Sequence, residues 1–272
     1  MTDHYAVMGS PVAHSKSPRI HSLFAAQTDQ ALDYSAILVE PGTFNAAVAD
    51  FVSRGGKGLN ITVPLKQEAW QLASTRSTRA EHAGAVNTLV LDPSGAHFGD
   101  NTDGVGLVHD LCSNHGITLK GKRLLLLGAG GAARGVIEPL LQEQPALLVI
   151  ANRTADKAVA LAQHFCTLGH IEGCGLDDVT GQTFDLIINA TAASLSGAVP
   201  AIAGSVVTPD TCCYDMMYGS EPTAFMAWAQ VQGAQQVMDG LGMLVEQAAE
   251  SFYLWRKVRP DTAPVITALR EG

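Results

Sequence analysis

The chain has 272 residues, 47% of them hydrophobic and 16% charged, and a formal net charge of −9 at pH 7. This composition suits one large or two modest folded domains and excludes an intrinsically disordered chain. Nucleic acid and anionic membrane surfaces are disfavoured as partners, because the chain is acidic and has no run of five or more basic residues. No apolar run is long enough to span a bilayer.

The five cysteines follow none of the patterns that mark disulfide frameworks or zinc sites. Their number is odd, no C-x-x-C pair occurs, and the nine histidines show no metal-ligand spacing beside them. The chain also begins without the basic and apolar regions of a secretory signal. We therefore expect reduced thiols, a cytoplasmic protein and no metal.

The first part of the chain alternates short apolar runs with helical stretches. Strands are predicted at 5–8, 34–39, 58–63, 85–91 and 96–99, and helices at 17–27, 41–53, from 64 onward and 104–115. Ser17 and Pro18 are typical of an N-cap and a first helical residue. Residues 92–95, Asp-Pro-Ser-Gly, predict the turn of a hairpin between the last two of these strands.

The second part continues the alternation. Strands are predicted at 124–127, 147–151, 185–190 and 212–216 and from 237, and helices at 131–143, 155–165, 222–232 and 241–257. The unbroken apolar run at 124–127 is typical of a strand covered on both faces. Alternating strands and helices predict an α/β fold with parallel sheets and right-handed crossovers.

A glycine-rich loop, G-A-G-G-A-A at 128–133, joins a predicted strand to a predicted helix. This context is the one that a dinucleotide-binding fingerprint requires. Gly128 permits a tight turn, and Gly130 lets the backbone approach a pyrophosphate. Gly131 and Ala132 place N–H groups at the positive end of a helix, where anions bind. The alternative is a purely structural glycine turn.

The end of the next predicted strand indicates which dinucleotide is bound. Enzymes that use NAD usually carry Asp or Glu there, whereas this chain has Asn152-Arg153-Thr154. Arg153 can pair with a 2′-phosphate that a carboxylate would repel, and Lys157 lies one helical turn further on. NADP(H) is therefore favoured over NAD. Basic surface residues at a helix start are the alternative.

The segment N-I-T-V-P-L-K at 60–66 is unusually polar for a strand end. Alternation along the strand delivers Asn60 and Thr62 to one face. Lys66 follows in the first turn of a predicted helix, where the helix dipole disfavours a cation. That placement makes Lys66 a candidate for proton transfer, although a surface lysine that extends into solvent is the simpler alternative.

The run G-D-N-T-D-G at 99–104 admits three interpretations. It is rich in turn formers, and it resembles half of a calcium loop without the spacing and terminal Glu that such a loop needs. The third interpretation is that Asp103 lies at a domain junction near Lys66. A carboxylate and an ammonium in one pocket can orient a hydroxyl and shuttle its proton.

Taken together, these segments resemble those of the shikimate dehydrogenase family. The resemblance is carried by eight segments in order, which cover nearly the whole chain: G-S-P-V-A-H-S-K-S-P at 9–18, N-I-T-V-P-L-K at 60–66, G-A-V-N-T at 84–88, G-D-N-T-D-G at 99–104, G-A-G-G-A-A at 128–133, N-R-T at 152–154, N-A-T at 189–191 and D-G-L-G-M-L-V-E-Q-A at 239–248.

The resemblance implies reversible, NADP-dependent reduction of 3-dehydroshikimate to shikimate by hydride transfer at C3, in chorismate and aromatic amino-acid biosynthesis. It also implies an α/β fold of two domains. Residues 1–103 and 240–272 would form the substrate domain, to which the C-terminal helices return. Residues 104–239 would form a Rossmann-type, doubly wound NADP-binding domain, with the active site in the cleft between the two. We expect a monomer or a homodimer.

The family's functional residues carry over position by position. Lys66 and Asp103 match the catalytic pair, in which Lys66 would accept the proton during oxidation and return it during reduction. The residues that match substrate-binding positions are Ser15 and Ser17 for the carboxylate, Thr62, Asn87, Asp103 and Gln247 for the ring hydroxyls, and Tyr218 nearby. The residues that match cofactor-binding positions are Gly128, Ala129, Gly130, Gly131, Ala132, Asn152, Arg153, Thr154, Lys157 and, towards the nicotinamide, Thr191, Met216 and Gly240.

Two departures and three rival functions remain. Ala192 and Ala193 stand where the family often has serines, and Lys157 stands where Arg would bind phosphate with two parallel bonds. A quinate/shikimate dehydrogenase with dual cofactor use is one rival, although such relatives tend to carry Asp near Arg153. A non-catalytic shikimate-binding sensor is the second. The third, a generic Rossmann redox domain, leaves 9–18 and 60–66 unexplained.

Overall fold

The computed structural model describes residues 2–40 and 42–271, and the chain divides into two units. Unit 1 comprises Met1–Gly106 and Val245–Gly272, and unit 2 comprises Leu107–Leu244. Each unit contains a six-stranded sheet. No helix in the described part of the chain is long and apolar enough to cross a membrane. The substrate and cofactor roles assigned to the two parts of the chain stay a prediction at this point.

The elements that lead up to residue 114 follow the predicted alternation with shifted ends. In chain order they are β1 (Asp3–Gly9), α1 (Ser17–Gln27), β2 (Leu32–Leu38), α2 (Phe44–Ser53), β3 (Gly56–Ile61), α3 (Lys66–Leu72), β4 (Thr75–Arg76), α4 (Thr78–Ala83), β5 (Thr88–Val90), β6 (Phe98–Asp100), α5 (Asp103–His109) and a π-helical segment (Asp110–Asn114).

The remaining elements alternate more regularly. In chain order they are β7 (Arg123–Leu127), α6 (Gly131–Gln142), β8 (Leu147–Asn152), α7 (Ala155–Phe165), β9 (Ile171–Gly175), β10 (Leu186–Asn189), β11 (Cys212–Asp215), α8 (Ala224–Val231), β12 (Gln236–Asp239), α9 (Leu241–Arg256) and α10 (Ala263–Arg270). Short 3₁₀ segments lie at Asp177–Val179, Ala193–Ser196 and Gly204–Val206.

The sheet of unit 1 is mixed, with strand order β2-β1-β3-β5-β6-β4. β1 runs parallel to β2 and β3, whereas β5 is antiparallel to both β3 and β6. The prediction of parallel pairing from strand–helix alternation is therefore wrong for the β3–β5 pair. The hairpin predicted around residues 92–95 is confirmed by the antiparallel β5–β6 pair, since a connection that short cannot form a crossover.

The sheet of unit 2 is entirely parallel, with strand order β12-β11-β10-β7-β8-β9. This is the doubly wound order of a Rossmann fold, and the predicted fold class is confirmed. The order reverses between β7 and β10, and ligands bind at the carboxyl ends of the strands at such a point. The loops after these two strands, at 128–130 and 190–192, therefore form the expected ligand-binding edge.

The apolar run of β7 explains why this sheet is covered on both faces. Leu124 and Leu126 pack into a cluster with Val136 of α6, and Leu125 and Leu127 pack into another cluster on the opposite face. All four leucines are fully buried. Burial of each contributes about 1.5–3 kcal/mol, so β7 anchors the glycine loop that follows it.

Several helix starts differ from the prediction. Ser17 is the first residue of α1, and the N-cap is Lys16 rather than Ser17. Ser15 Oγ, one residue before the N-cap, accepts a hydrogen bond from the N–H of Ser17, the first helical residue, at 3.2 Å. α3 begins at Lys66 and not at Pro64, because residues 62–65 form a turn closed by a bond from Leu65 N to Thr62 O.

Two further helix boundaries differ from the prediction, and four elements were not predicted because their local composition does not indicate a helix or a strand. The predicted helix 41–53 begins at Phe44, and its predicted first residue, Pro41, lies outside the described residues. The helix predicted at 104–115 is α-helical only to His109 and continues with π-helical bonding. β4, α4, β9 and α10 were not predicted. Residues 75–83 are polar, and β9 has the edge-strand sequence Ile-Glu-Gly-Cys-Gly.

Candidate functional site

An ion pair between Lys66 and Asp103 lies at the centre of the polar cluster in unit 1. Lys66 is the first residue of α3 and Asp103 the first residue of α5, so short turns fix both backbones. Lys66 Nζ lies 2.5 Å from Asp103 Oδ2, and the two side chains are 29% and 14% exposed. Partial burial shields the pair yet leaves it accessible, so it can bind a hydroxyl and exchange a proton with it.

Asn87 holds the second oxygen of that carboxylate. Its Nδ2 donates to Asp103 Oδ1 at 2.8 Å and to Thr102 Oγ1 at 3.0 Å, while its Oδ1 accepts from the Thr102 N–H at 2.9 Å. Gln247 Oε1 lies 3.3 Å from the same amide nitrogen. The carboxylate of Asp103 is therefore held on both oxygens, by an ammonium and by an amide. Four of the predicted site residues meet in this cluster.

A buried carboxylate that the sequence analysis missed supports this cluster. Asp100 is 2% exposed and accepts from Arg79 Nε at 2.7 Å and Nη2 at 2.6 Å. Its backbone carbonyl accepts from the Asn87 N–H at 3.0 Å, and Arg79 also contacts Glu250 at 3.1 Å. Because Arg79 lies on the unpredicted helix α4, nothing in the sequence distinguished it from a surface arginine.

The segment after β1 packs against the end of β3. A Cβ on Gly9 would lie 2.2 Å from Thr62 Cγ2, so only glycine allows this approach. The Thr62 N–H donates to the Met8 carbonyl at 2.9 Å, which joins the two strand ends. Parallel neighbours end at the same edge, so Thr62 and the segment that carries Ser15 and Ser17 start from adjacent positions.

A chain of buried polar groups connects Ser17 with the surroundings of Asn87. Ser17 is 7% exposed and lies near Tyr34, whose hydroxyl donates to Asn60 Oδ1 at 2.8 Å. Burial raises the pKa of Tyr34 well above its ordinary value, and the nearby Ser17 hydroxyl opposes this rise. Asn60 Nδ2 in turn donates to Ser251 Oγ at 2.9 Å and lies 3.4 Å from the carbonyl of Asn87.

His21, at the end of the opening segment, is fully buried beside these groups. Its ring stacks on Tyr34 with centroids 4.2 Å apart and planes 6° apart, and Trp255 lies 5.3 Å away. Burial lowers the pKa of His21 to about 3, while the nearby Asn60 amide acts in the opposite direction. Neither ring nitrogen has a hydrogen-bond partner among the residues that the structure describes. The imidazole therefore packs as a neutral aromatic ring.

The glycine loop of unit 2 has the conformation that a phosphate cradle needs. Gly128 has φ +107°, and a Cβ there would lie 3.1 Å from Thr191 Cγ2, so this position requires glycine. Gly130 caps α6 and Gly131 begins it. Open space lies where their Cβ atoms would be. A ligand can therefore approach the backbone at the start of this 12-residue helix, where the first N–H groups favour an anion.

A cavity of about 610 Å³ opens beside this loop. It brings together four of the predicted cofactor residues, Gly128, Asn152, Arg153 and Thr191. Its other lining residues are largely apolar: Ala151, Leu176, Ala192, Ala193, Ala198, Val199, Pro200 and Ala201. A cavity of this size with one cation and few polar groups fits part of a dinucleotide with an additional phosphate.

The end of β8 presents its basic side chains to solvent. Asn152 Nδ2 donates to the Thr154 carbonyl at 2.9 Å, so the Asn152 amide shapes the turn that carries Arg153. Arg153, Thr154 and Lys157 are exposed. Thr154 and Lys157 do not line the described cavity, and neither do Ala129, Gly130, Gly131, Ala132, Met216 and Gly240.

Met216 and Gly240 are neighbours at the carboxyl edge of the same sheet. A Cβ on Gly240 would lie 2.2 Å from the Met216 carbonyl oxygen, and the Gly240 N–H donates to the Met217 carbonyl at 3.0 Å. Tyr218 is half-buried in unit 2. Its burial raises the pKa of its phenol, and the negative charge of Asp239 adds to the rise. Tyr218 thus differs from the other predicted substrate residues, which belong to unit 1.

Residues 2–40 and 42–271 contain no group of three or more His, Cys, Asp or Glu side chains that could hold a metal ion. All five cysteines are free thiols.

Three family models match successive parts of the chain. They describe a shikimate dehydrogenase substrate-binding domain at residues 7–89, a shikimate/quinate 5-dehydrogenase at 110–197 and a shikimate 5′-dehydrogenase C-terminal domain at 240–270. The chain is 56% identical over 270 residues to the shikimate dehydrogenase (NADP(+)) of Cellvibrio japonicus (strain Ueda107), which covers 99% of this chain and 98% of that relative.

Two solved structures extend the similarity to the fold. An Ael1 enzyme from Pseudomonas putida has a TM-score of 0.93 and 46% identity, with 98% of each chain covered. The shikimate 5-dehydrogenase of Thermus thermophilus, solved in complex with NADP(H) and shikimate, has a TM-score of 0.88 and 30% identity, with 99% of each chain covered.

Proposed function

Because the chain belongs to the shikimate dehydrogenase family, we propose that it catalyses the reversible, NADP-dependent reduction of 3-dehydroshikimate to shikimate. This reaction belongs to chorismate and aromatic amino-acid biosynthesis. The observation that carries the proposal is the Lys66–Asp103 pair at 2.5 Å, with Asn87 bonded to the free carboxylate oxygen at 2.8 Å. An alcohol oxidation needs a group of this kind to receive the hydroxyl proton.

Lys66 moves the proton in this proposal. During oxidation its amine would accept the proton of the C3 hydroxyl, and during reduction its ammonium would return a proton to the C3 oxygen. Asp103 would accept a hydrogen bond from the substrate's hydroxyls and hold the Lys66 Nζ in place. Asn87 keeps the Asp103 carboxylate oriented, because its amide nitrogen bonds the oxygen that Lys66 leaves free.

The substrate carboxylate would be bound by the hydroxyls of Ser15 and Ser17. Each hydrogen bond to the charged carboxylate contributes about 1.5–3 kcal/mol, so the two would both orient the ring and add to its affinity. Thr62 and Gln247 would contact the ring hydroxyls, and the bond from Asn87 Nδ2 to Gln247 Oε1 keeps Gln247 beside the Lys66–Asp103 pair. Tyr218 is proposed as a further substrate neighbour.

Different residues are proposed to contact different parts of the dinucleotide. When bound, NADP⁺ accepts the hydride that leaves C3 of shikimate. The N–H groups of Gly130 and Gly131 would donate to its pyrophosphate, because these residues are the N-cap and first residue of α6 and have open space beside their backbone. Arg153 would pair with the 2′-phosphate through charge-assisted bonds, and Lys157 would add a second, weaker contact. The other proposed cofactor residues are Gly128, Ala129, Ala132, Asn152, Thr154, Thr191, Met216 and Gly240.

A cytoplasmic setting is part of the proposal, because five free thiols suit a reducing compartment. A monomeric or homodimeric state stays a prediction, which sedimentation of the purified protein at several concentrations tests. The substrate domain is proposed to consist of 1–103 and 240–272, and the NADP-binding domain of 104–239.

The proposed function is tested by measuring formation of the reduced cofactor, NADPH with shikimate and NADP⁺ or quinate and NADP⁺, and NADH with shikimate and NAD⁺ or quinate and NAD⁺. We expect turnover with shikimate and NADP⁺ to exceed the other three. Comparable turnover with quinate or NAD⁺ would identify a dual-specificity quinate/shikimate dehydrogenase. Stoichiometric NADPH binding without any turnover would identify a shikimate-binding sensor instead.

A further inference from the structure

Asp215 is a fully buried carboxylate at the carboxyl end of β11. Its Oδ1 accepts from Asn189 Nδ2 at 3.1 Å and from the Met217 N–H at 3.0 Å. Its Oδ2 accepts from Ser194 Oγ and Thr223 Oγ1, each at 2.6 Å. Every one of these four donors lies in unit 2, as does Asp215 itself.

This arrangement satisfies a group that is otherwise costly to bury. A buried ionised carboxylate is stable only when charged partners or hydrogen-bond donors replace the water it has lost. Here the donors are neutral, and two bond each oxygen. Thr223 is also the N-cap of α8, and its Oγ1 accepts from the Met226 N–H at 3.2 Å. The negative charge of Asp215 therefore lies near the positive end of α8, which stabilises it further.

The four donors come from three places, the end of β10, the loop after it and the segment between β11 and α8. Asn189 ends β10 and is the register partner of Asp215 on β11. Ser194 lies in the loop after β10, and Met217 and Thr223 lie in the segment between β11 and α8. One carboxylate thus joins both loops at the carboxyl edge of the sheet.

Asn189 extends this anchor to one of the cofactor residues. While its amide nitrogen donates to Asp215, its Oδ1 accepts from the Thr191 N–H at 3.1 Å and from Thr191 Oγ1 at 2.7 Å. Thr191 in turn lies against Gly128 and lines the 610 Å³ cavity. The orientation of Thr191 therefore depends on the orientation of the Asn189 amide, which Asp215 fixes.

We propose that Asp215 is a positioning residue that sets the geometry of the two cofactor-facing loops, 190–197 and 216–223, by bonding three donors within them and Asn189 at the end of β10. It touches neither substrate nor cofactor and acts through Thr191 and the backbone around Met216. The inference rests on the proposed function, because the role of these loops in NADP binding belongs to that function.

Two substitutions of Asp215 test how much the loops depend on its carboxylate oxygens. In Asp215→Ala, all four donors lose their acceptor. In Asp215→Asn, the remaining oxygen can still accept from Asn189 and Met217, and the amide can donate to the two hydroxyls once these reverse. We expect kcat per bound cofactor to fall about 10²-fold for Asp215→Ala, because a displacement of about 1 Å has that effect, and clearly less for Asp215→Asn.

Thr223 provides a gentler test that keeps Asp215 in place. Thr223→Val removes the hydroxyl with little change of shape, whereas Thr223→Ser retains it. We expect Thr223→Val to reduce kcat and Thr223→Ser to restore most of it. Asp185→Asn is the matched control, because Asp185 is partly exposed just before β10, at the amino end of the sheet, where it pairs with Lys122.

Two measurements distinguish positioning from a general loss of folded protein. The first is titration with NADPH, which counts binding sites and gives their affinity. The second is amide hydrogen exchange of the cofactor-free protein. We expect full site stoichiometry, weaker NADPH binding and faster exchange confined to 190–197 and 216–224 in Asp215→Ala, with Asp185→Asn unchanged. The deuterium isotope effect on kcat, with shikimate labelled at C3, should also rise.

The inference is overturned if Asp215→Ala binds NADPH as wild type does and turns over normally. It is equally overturned if kcat falls only in proportion to the number of binding sites, or if exchange accelerates uniformly. If the wild-type protein binds NADPH but leaves shikimate unoxidised, the proposed function fails. The exchange pattern and NADPH affinity of Asp215→Ala then still decide the role of Asp215.

Discussion

The two ligand-facing regions of this molecule are organised in opposite ways. In unit 1 the functional groups are charged or amide side chains that bond one another directly, as Lys66, Asp103 and Asn87 do. In unit 2 the proposed ligand contacts are backbone N–H groups and exposed cations, and the buried carboxylate of Asp215 bonds the segments that follow β10 and β11. We therefore expect side chains to determine proton transfer in the first region, and backbone geometry together with exposed cations to determine cofactor binding in the second.

The largest expected effect is that of Lys66→Ala, which removes the group proposed to transfer the proton in the first region. We expect kcat to fall about 10²–10⁴-fold with little change in the KM for shikimate, as loss of a general acid–base does. Steady-state kinetics with shikimate and NADP⁺ measure both constants. Lys57→Ala is the control, because Lys57 is exposed on β3 in the same unit.

A raised KM with unchanged kcat in Lys66→Ala would mean that Lys66 only binds substrate.

The next effect concerns cofactor choice in the second region. Arg153→Asp replaces the cation proposed to pair with the 2′-phosphate by an anion that repels it. A hydrogen bond to a charged group contributes about 1.5–3 kcal/mol, so we expect the Kd for NADP⁺ to rise about tenfold to a hundredfold. Binding of NAD⁺ should be preserved, and calorimetry measures both.

Lys120→Asp is the matched control for Arg153→Asp, since it makes the same charge change at another exposed position of unit 2. If the two variants weaken NADP⁺ binding equally, the effect is one of net charge alone. An unchanged preference for NADP⁺ over NAD⁺ in Arg153→Asp would remove the role proposed for Arg153.

A smaller effect is expected at Arg79, which supports the first region without contacting the Lys66–Asp103 pair. Arg79→Met leaves the buried Asp100 without its bidentate partner, and Asp100 bonds the Asn87 backbone. We expect kcat to fall about tenfold, because the Asn87 amide shifts relative to Asp103. Arg79→Lys should recover only part of this, since lysine cannot form two parallel bonds.

The kinetic assay of the Arg79 variants is run at a temperature where thermal unfolding shows them folded. Arg54→Met is the control, because Arg54 forms an exposed pair with Asp50 on α2. If Arg79→Met lowers the unfolding temperature and leaves kcat unchanged, Arg79 supports the fold and has no part in positioning Asn87.

The smallest effect on catalysis is expected for substitution of His21. This substitution instead changes how the free energy of unfolding depends on pH. Burial lowers the pKa of His21 from 6.5 to about 3, so below pH 6.5 the unfolded chain binds a proton that the folded chain does not. This contribution to stability is complete above pH 6.5 and is lost as the pH falls towards 3. At pH 5 the loss amounts to about 2 kcal/mol.

His21→Phe retains an aromatic ring in the stack and removes this titration. We measure the free energy of unfolding in urea at pH 7.5 and at pH 5 for both proteins. We expect the decrease between these pH values to be about 2 kcal/mol smaller for His21→Phe than for wild type. His4→Phe is the control, because His4 is half exposed. Parallel pH dependence in wild type and His21→Phe would contradict the assignment of a neutral, buried His21.

The sequence predicted elements well where local chemistry and burial agree. Helix 155–165 was predicted with the bounds that α7 has, and the apolar run 124–127 lies within β7. The prediction failed where only tertiary contacts decide. α4 and β4 are polar segments, and their places depend on bonds such as those from Arg79 to Asp100.

The candidate site shows the same contrast between residues that sequence segments indicate and residues whose role depends on tertiary contacts. Lys66 and Asp103 were identified from the segments that carry them, and the structure brings them together with Asn87 and Gln247. Asp215 was not identified, because a single carboxylate at a strand end reveals neither its burial nor the four donors that surround it. Such a role depends on residues from several loops, which no local pattern records.

The central claim is that Lys66 and Asp103 act as one unit, and a double-mutant cycle tests it most directly. The kcat values of Lys66→Ala, Asp103→Asn and the double variant are compared with that of wild type, each per NADPH-binding site. Residues that act together are strongly non-additive, so we predict that the double variant is no slower than the slower single variant. The account would be contradicted if the two single substitutions lowered kcat independently. The factor by which kcat falls in the double variant would then equal the product of the factors for Lys66→Ala and Asp103→Asn.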